Sequence, residues 1–172
     1  FGQVVGQAMA DFSTRGDDEA PYNLVADAVR DMMGAEFELE NAGGVRAPLV
    51  SGAITQADLV TMDPFDNKVI TFKATGRQIR DILSRYAPFV SGLRYRIVSG
   101  KLIDVTINGQ PLDDEKLYAG ATNSYFAGTA LKGIAQENTG RNRLDVVTAY
   151  VKKKGTVEPA YDGRRVIIGS RR

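Results

Sequence analysis

A chain of 172 residues with 43% apolar side chains is long enough to bury roughly 70% of its unfolded surface as one domain without disulfide or metal staples. It has no cysteine and no histidine, which excludes disulfides, thiolate or imidazole metal ligands and every Ser-His or Cys-His catalytic arrangement. The formal net charge is +1 and there is no long basic run, which argues against nucleic-acid binding; no apolar run reaches the roughly 18 residues of a membrane span.

The chain begins at Phe1 rather than Met and in mid-pattern, as expected of a processed or truncated piece. Phe1 to Phe12 is apolar-rich and predicts a first strand. Ser13 to Ala20 is a charged loop that contains Arg15. Pro21 suits the first turn of a helix, and Leu24, Val25, Ala28, Val29 and Met32 recur at helical spacing over Tyr22 to Met33, with Gly34 as the stop. Asp27, Arg30 and Asp31 form its polar face, and Asn23 near its start either caps, sits on the surface or points to a ligand. Phe37-Glu38-Leu39-Glu40 reads as a strand with two apolar positions on one face.

Asn41-Ala42-Gly43-Gly44-Val45-Arg46-Ala47-Pro48 follows. The paired glycines reach backbone conformations closed to other residues and permit close approach to a ligand. Asn41 brings an amide that donates and accepts, and Arg46 a guanidinium fork suited to phosphate or carboxylate. The residues alone fit either a tight turn with a solvated arginine or a ligand-binding loop.

Ser51 to Thr55 is extended, and Thr55 caps a short helix over Gln56 to Met62. Asp63-Pro64-Phe65-Asp66-Asn67 is a turn by composition, which leaves Phe65 either tucked back on the core or offered to a flat ligand. Val69 to Ala74 alternates as a strand, and Thr75-Gly76-Arg77-Gln78 is a capping-box start for a helix to Tyr86. Leu93 to Val98 and Leu102 to Ile107 form a hairpin through Ser99-Gly100-Lys101, and Asn108-Gly109 makes a second tight turn. Leu117 to Thr122 is a further strand, and Asn123 to Gly133 mixes aromatic, small and polar residues. Asn142 opens a last helix whose lysines, Lys152 to Lys154, sit at its negative end before Gly155. Val166 to Ile168 is a final strand. The acidic runs Asp17-Asp18-Glu19 and Asp113-Asp114-Glu115 lack calcium-loop spacing and read as solvated turns. Interleaved helices and strands with hairpins predict one α+β domain, residues 1–172, around a mixed β-sheet packed with helices.

Taken together, Asn23 to Ala28, Asn41 to Arg46, Gly52 to Thr55, Pro64 to Asn67, the Thr75-Gly76 helix start, Ile107-Asn108-Gly109 and Asp162-Gly163-Arg164 resemble the C-terminal domain of the 5′-nucleotidase family. These are two-domain metallophosphoesterases that include UDP-sugar hydrolases. The resemblance implies a division of labour. An N-terminal domain, absent from this chain, holds two divalent metal ions and hydrolyses the phosphate ester. The C-terminal domain binds the nucleotide or nucleotide-sugar substrate, has no cofactor and is not catalytic by itself. It also implies a periplasmic, secreted or cell-surface setting.

Carried over by position, the resemblance makes Asn41 a base contact, Arg46 and Arg15 phosphate contacts, and Gly43 and Gly44 the close-approach floor. Phe65 is the first of two rings that clamp the base, and Tyr125, with Phe126 as competitor, is the second. The family follows its second ring with a Gly-Gly-Asp-Gly turn whose aspartate binds ribose; Leu131 falls at that aspartate's place, and a leucine accepts no hydrogen bond. Either the ribose is held differently, or the ligand is not an ordinary nucleoside, or the pocket has decayed and the domain is a non-catalytic interaction module. Lys132 either adds phosphate affinity or is solvent-exposed.

Overall fold

Four of the five helices among the described residues begin where a side chain closes the first turn; the first instead carries Pro21 near its start and no side-chain cap. Thr55 and Thr75 each accept a hydrogen bond from the amide three residues on, while their own amides donate to Asp58 and Gln78. Asn123 and Asn142 cap two more helices. The stops are equally local: Gly34 ends the first long helix at φ 64°, a conformation that costs glycine little.

The computed structural model describes residues 2–169. In chain order the elements are β1 (Val4–Ala8), β2 (Thr14–Arg15), β3 (Asp18–Glu19), α1 (Ala20–Met33), β4 (Phe37–Glu40), β5 (Gly52–Thr55), α2 (Gln56–Met62), β6 (Lys68–Thr75), α3 (Gly76–Tyr86), β7 (Phe89–Ser91), β8 (Leu93–Val98), β9 (Lys101–Ile107), β10 (Gln110–Pro111), β11 (Leu117–Asn123), α4 (Ser124–Ala130), β12 (Gln136–Asn142), α5 (Arg143–Lys154), β13 (Thr156–Val157) and β14 (Arg165–Ile168). The central sheet is five-stranded and mixed, in the order β12-β6-β11-β4-β7, with a three-stranded sheet β13-β1-β5 and a four-stranded sheet β10-β9-β8-β14 beside it. This is the expected α+β architecture. The first strand is shorter than the predicted stretch, and Phe1 lies outside the described residues.

The central sheet separates two apolar cores. Ile70, Phe72 and Ala74 of β6 face one, with α3 and the four-stranded sheet. Val69 and Ala121 face the other, with α1 and α5. Strand β4 sits between β11 and β7, with the core under α3 and the four-stranded sheet on one face and α1 on the other, and all four of its residues are buried. Phe37 and Leu39 enter the first core, which leaves Glu38 and Glu40 buried on the opposite face rather than in solvent.

Several sequence expectations change for the same reason: an apparent surface is covered by another element. The polar face of α1 is partly interior, because Arg164 pairs with Asp27, which also accepts from Ser91 at 2.6 Å, and Arg30 donates to the Glu36 carbonyl at 3.1 Å. Asn23 is buried and donates to the Ala160 carbonyl at 3.1 Å, so it neither caps α1 nor faces a ligand. Asp17 and Asp18 are not merely a solvated turn. They accept from the Ile167 and Gly163 amides, each at 2.9 Å, so that Asp17 occupies a donor on the outer edge of β14 and Asp18 one in the loop that leads into it. Asp114 and Glu115 do remain at the surface, paired with Arg80 and Arg77. Helix α4 and strand β12 carry no clear apolar period, being one two-turn helix and one largely exposed edge strand.

Replacing Thr75 by alanine removes the side-chain acceptor of its capping box, while the backbone amide of residue 75 can still donate to Gln78. The expected loss is about 1 kcal/mol of unfolding free energy, with serine at the same position close to wild type; urea denaturation of the three proteins reads this directly.

Candidate functional site

Strand direction brings four loops to one place. Strands β4 and β11 are parallel, β6 runs antiparallel to β11, and β12 antiparallel to β6. The ends marked by Glu40, Lys68, Asn123 and Asn142 therefore lie at the same end of the central sheet. Loops that leave the carboxyl ends of parallel strands are the usual place for a ligand cleft in such sheets.

A cavity of about 450 Å³ opens there, lined by residues 41–44, Arg46, residues 65–67 and Tyr125. That volume suits a small organic ligand. Phe65 and Tyr125 line it with rings that remain 40% and 69% exposed, a large apolar area left uncovered by the protein itself. Arg46 is exposed, and among the described residues its guanidinium has no ion-pair partner, while its backbone N–H donates to the Met62 carbonyl at 2.8 Å.

The glycine pair has two separate reasons. Gly43 sits at φ 88° and donates its amide to the Tyr22 hydroxyl at 2.6 Å. Gly44 is buried, and a Cβ there would lie 3.2 Å from the Asn41 carbonyl oxygen and 3.5 Å from the Arg143 guanidinium. The first glycine is needed for its dihedral and the second for close approach.

Beneath the loops lies Arg143, completely buried at the first turn of α5. It donates to the Glu40 carboxylate, to Asp63 at 2.9 Å and to the Gly44 carbonyl at 2.6 Å. Its backbone amide donates to the Asn67 carbonyl at 2.8 Å. Asn67 in turn accepts on its side chain from the Tyr125 amide at 3.1 Å and the Ser124 hydroxyl at 3.2 Å. One buried cation thus ties the Asn41 loop, the Phe65 loop and the Tyr125 helix together.

Glu38, two residues before Glu40 on the same face of β4, is also fully buried, and neither of its carboxyl oxygens has a partner. Burial, and then the Glu40 charge beside it, push its pKa well above the ordinary carboxylate value. In its protonated form Glu38 can donate to Glu40, whose second oxygen is otherwise unpaired.

Six of the seven residues singled out from the sequence, Asn41, Gly43, Gly44, Arg46, Phe65 and Tyr125, line this one cavity. Arg15 does not; its guanidinium stacks 4.1 Å above the Tyr161 ring. Phe126 is buried edge-on against Tyr86, ring centres 5.5 Å apart, which leaves Tyr125 as the ring in the lining. Leu131 is fully buried in the core, and Lys132 is exposed. Asp66 and Asn67 also line the cavity, beside Phe65 in the chain, and nothing in the sequence marks Arg143 beyond its place after a capping asparagine. Among the described residues no cluster of three or more acidic side chains is arranged to hold a metal ion.

Residues 4–134 match the family model described as 5′-nucleotidase, C-terminal domain. The chain is similar to Endonuclease YhcR of Bacillus subtilis (31% identity, 87% of this chain, 14% of that protein) and to Protein UshA of Escherichia coli (28% identity, 78% and 27%). It is also similar to the crystal structure of a 5′-nucleotidase precursor from Thermus thermophilus, with a TM-score of 0.87 at 24% identity over 98% of this chain and 40% of that one. The chain therefore spans less than a third of the length of these two curated relatives.

Two substitutions probe the buried cluster. Arg143→Met leaves Glu40 and Asp63 buried without their cation and is expected to cost about 3–5 kcal/mol in a denaturation experiment. Glu38→Gln tests the raised pKa. The folded protein keeps a proton that the unfolded chain releases near pH ~4.3, so the contribution of Glu38 is full below about that pH and is lost as pH rises through the folded value. Urea midpoints measured across this range should fall less steeply for Glu38→Gln than for wild type.

Proposed function

This chain belongs to the 5′-nucleotidase C-terminal domain family, and from that premise we propose that it is the nucleotide-recognition domain of a two-domain phosphoesterase. The carrying observation is the cavity that joins two exposed rings, Phe65 and Tyr125, to the amide of Asn41 and the guanidinium of Arg46. A nucleobase between two rings gains roughly 1–3 kcal/mol per stacking contact. Arg46 supplies charge-assisted bonds to phosphate, worth about 1.5–3 kcal/mol when desolvated. Asn41 addresses the base edge, and the glycines let it approach.

Ribose recognition follows from Asp66 in this reading. Its carboxylate lines the cavity, takes a 2.7 Å bond from Asn142 on one oxygen and remains exposed, so an acceptor for hydroxyls is present although Leu131 is not one. Arg15 contributes to phosphate binding only by leaving Tyr161, so Arg46 is the principal anion contact. The chemistry itself belongs to an N-terminal domain with two divalent metal ions, in a parent protein of the periplasm, the cell surface or the secreted fraction. The likeness to a protein named an endonuclease favours a second reading, in which the parent acts on nucleic acid and this cavity takes a terminal or released nucleotide.

Calorimetric titration with AMP, UMP and UDP-glucose is expected to detect binding. Phe65→Ala and Tyr125→Ala should each weaken it about 5- to 150-fold, matching roughly 1–3 kcal/mol. Arg46→Ala should weaken AMP but leave adenosine unchanged. Ring variants that bind as well as wild type would favour an interaction module, and folded protein that binds nothing at millimolar ligand would contradict a working pocket. Competition by a single-stranded oligonucleotide distinguishes the second reading.

A further inference from the structure

We propose that Asn123 is a positioning residue that fixes the hydrogen-bond polarity of Asn41, so that the cavity presents an N–H donor and selects bases with a matching acceptor; this rests on the nucleotide reading above. The relay begins at the N-terminus of α4. Asn123 is fully buried and its side-chain oxygen accepts from the Phe126 amide at 2.8 Å. An amide nitrogen cannot accept a hydrogen bond, so this cap leaves only one orientation for the Asn123 side chain. Its Nδ2 must then face the other way.

There it donates twice, to the Glu40 carboxylate at 2.8 Å and to the Asn41 Oδ1 at 2.9 Å. Glu40 itself is held by Arg143 and accepts only. Both protons of the Asn123 amide are therefore committed. Asn41 must in turn show its oxygen to Asn123, because the flipped amide would set donor against donor. A second contact agrees: the Asn41 Nδ2 donates to the Ala42 carbonyl at 3.1 Å on the exposed side, where a flipped oxygen would meet another oxygen. Gly44 also lies close to the Asn41 oxygen, since a Cβ built on it would be 3.3 Å away.

What Asn41 has left for a ligand is its second N–H. An amide free to rotate reads donors and acceptors alike, whereas an amide fixed by a buried relay reads one of them. The base that fits offers an acceptor, such as a ring nitrogen or a carbonyl oxygen, at the edge that meets Asn41.

The test compares AMP with 1-deaza-, 3-deaza- and 7-deaza-AMP, each of which replaces one ring nitrogen by C–H. With the wild-type chain, one analogue is expected to bind about 2- to 12-fold more weakly than AMP, the effect of one lost hydrogen bond. Asn123→Ser keeps an oxygen to accept from Phe126 but removes both amide protons, leaving one hydroxyl proton on a shorter side chain that cannot serve Glu40 and Asn41 together. In that variant the discrimination should vanish while the affinity for ribose 5-phosphate stays unchanged; a purely structural defect would weaken all ligands together. Should Asn123→Ser fail to fold, ¹⁵N-labelled AMP bound to the wild-type chain gives the same answer, with one ring nitrogen expected to shift upfield as an accepted hydrogen bond requires. Equal binding of AMP and all three analogues, discrimination that persists in Asn123→Ser, or labelled ring nitrogens that do not shift would each overturn the relay while leaving the nucleotide reading intact. Absence of AMP binding to the wild-type chain would overturn both.

Discussion

The guanidinium of Arg143 is the contact on which the site depends. It is completely buried, yet it reaches Glu40 at the end of β4, Asp63 at the end of α2 and the carbonyl of Gly44. Those partners lie 80 to 103 residues away in sequence. A buried ion pair is not in itself a strong stabiliser, because desolvation offsets most of the Coulomb gain. Its effect here is geometric: the planar fork accepts partners only in fixed directions, so each loop has one place to sit. The exposed rings and Arg46 are thereby carried on backbone that is pinned from below.

This arrangement divides rigid from adaptable parts. Asn41 and Asn67 in the cavity floor and Asn123 beneath it form a polar layer with most of its hydrogen-bonding capacity already committed. Phe65, Tyr125 and Arg46 stand above it with area and charge still uncovered. Preorganised polar groups beneath and unsatisfied apolar surface above is what a binding site for a flat, charged ligand requires. The anionic cluster of Glu38, Glu40 and Asp63 remains tolerable because Arg143 neutralises part of it and Glu38 holds its proton more tightly than a solvated carboxyl.

Local features are legible in the sequence, and the features that depend on distant chain are hidden in it. Caps at Thr55, Thr75 and Asn142, the stops at Gly34 and Gly155, and the hairpin through Ser99 and Gly100 are all set by near neighbours, and all are readable. So is most of the cavity lining, because Phe65 in a polar turn and a Gly-Gly pair beside Asn41 and Arg46 are conspicuous in the chain. Glu38 and Glu40 are not. Alternation with Phe37 and Leu39 reads as a half-exposed strand, and only α1 and the Arg143 side chain over the other face make both glutamates interior. Arg143 resembles any helix-start residue because its three carboxylate and carbonyl partners come from elsewhere. Arg15, eight residues before Asn23, stands as a phosphate contact only through the family resemblance, and the ring of Tyr161 from the far end of the chain takes its guanidinium.

The central claim is that the loops pinned by Arg143 form a nucleotide pocket, and a crystal structure of the chain soaked with AMP tests it most directly. The account predicts the base between the rings of Phe65 and Tyr125, an acceptor atom of the base within hydrogen-bond distance of the Asn41 Nδ2, and the phosphate toward Arg46. A nucleotide bound in another cleft, with the two rings left uncovered, would contradict it.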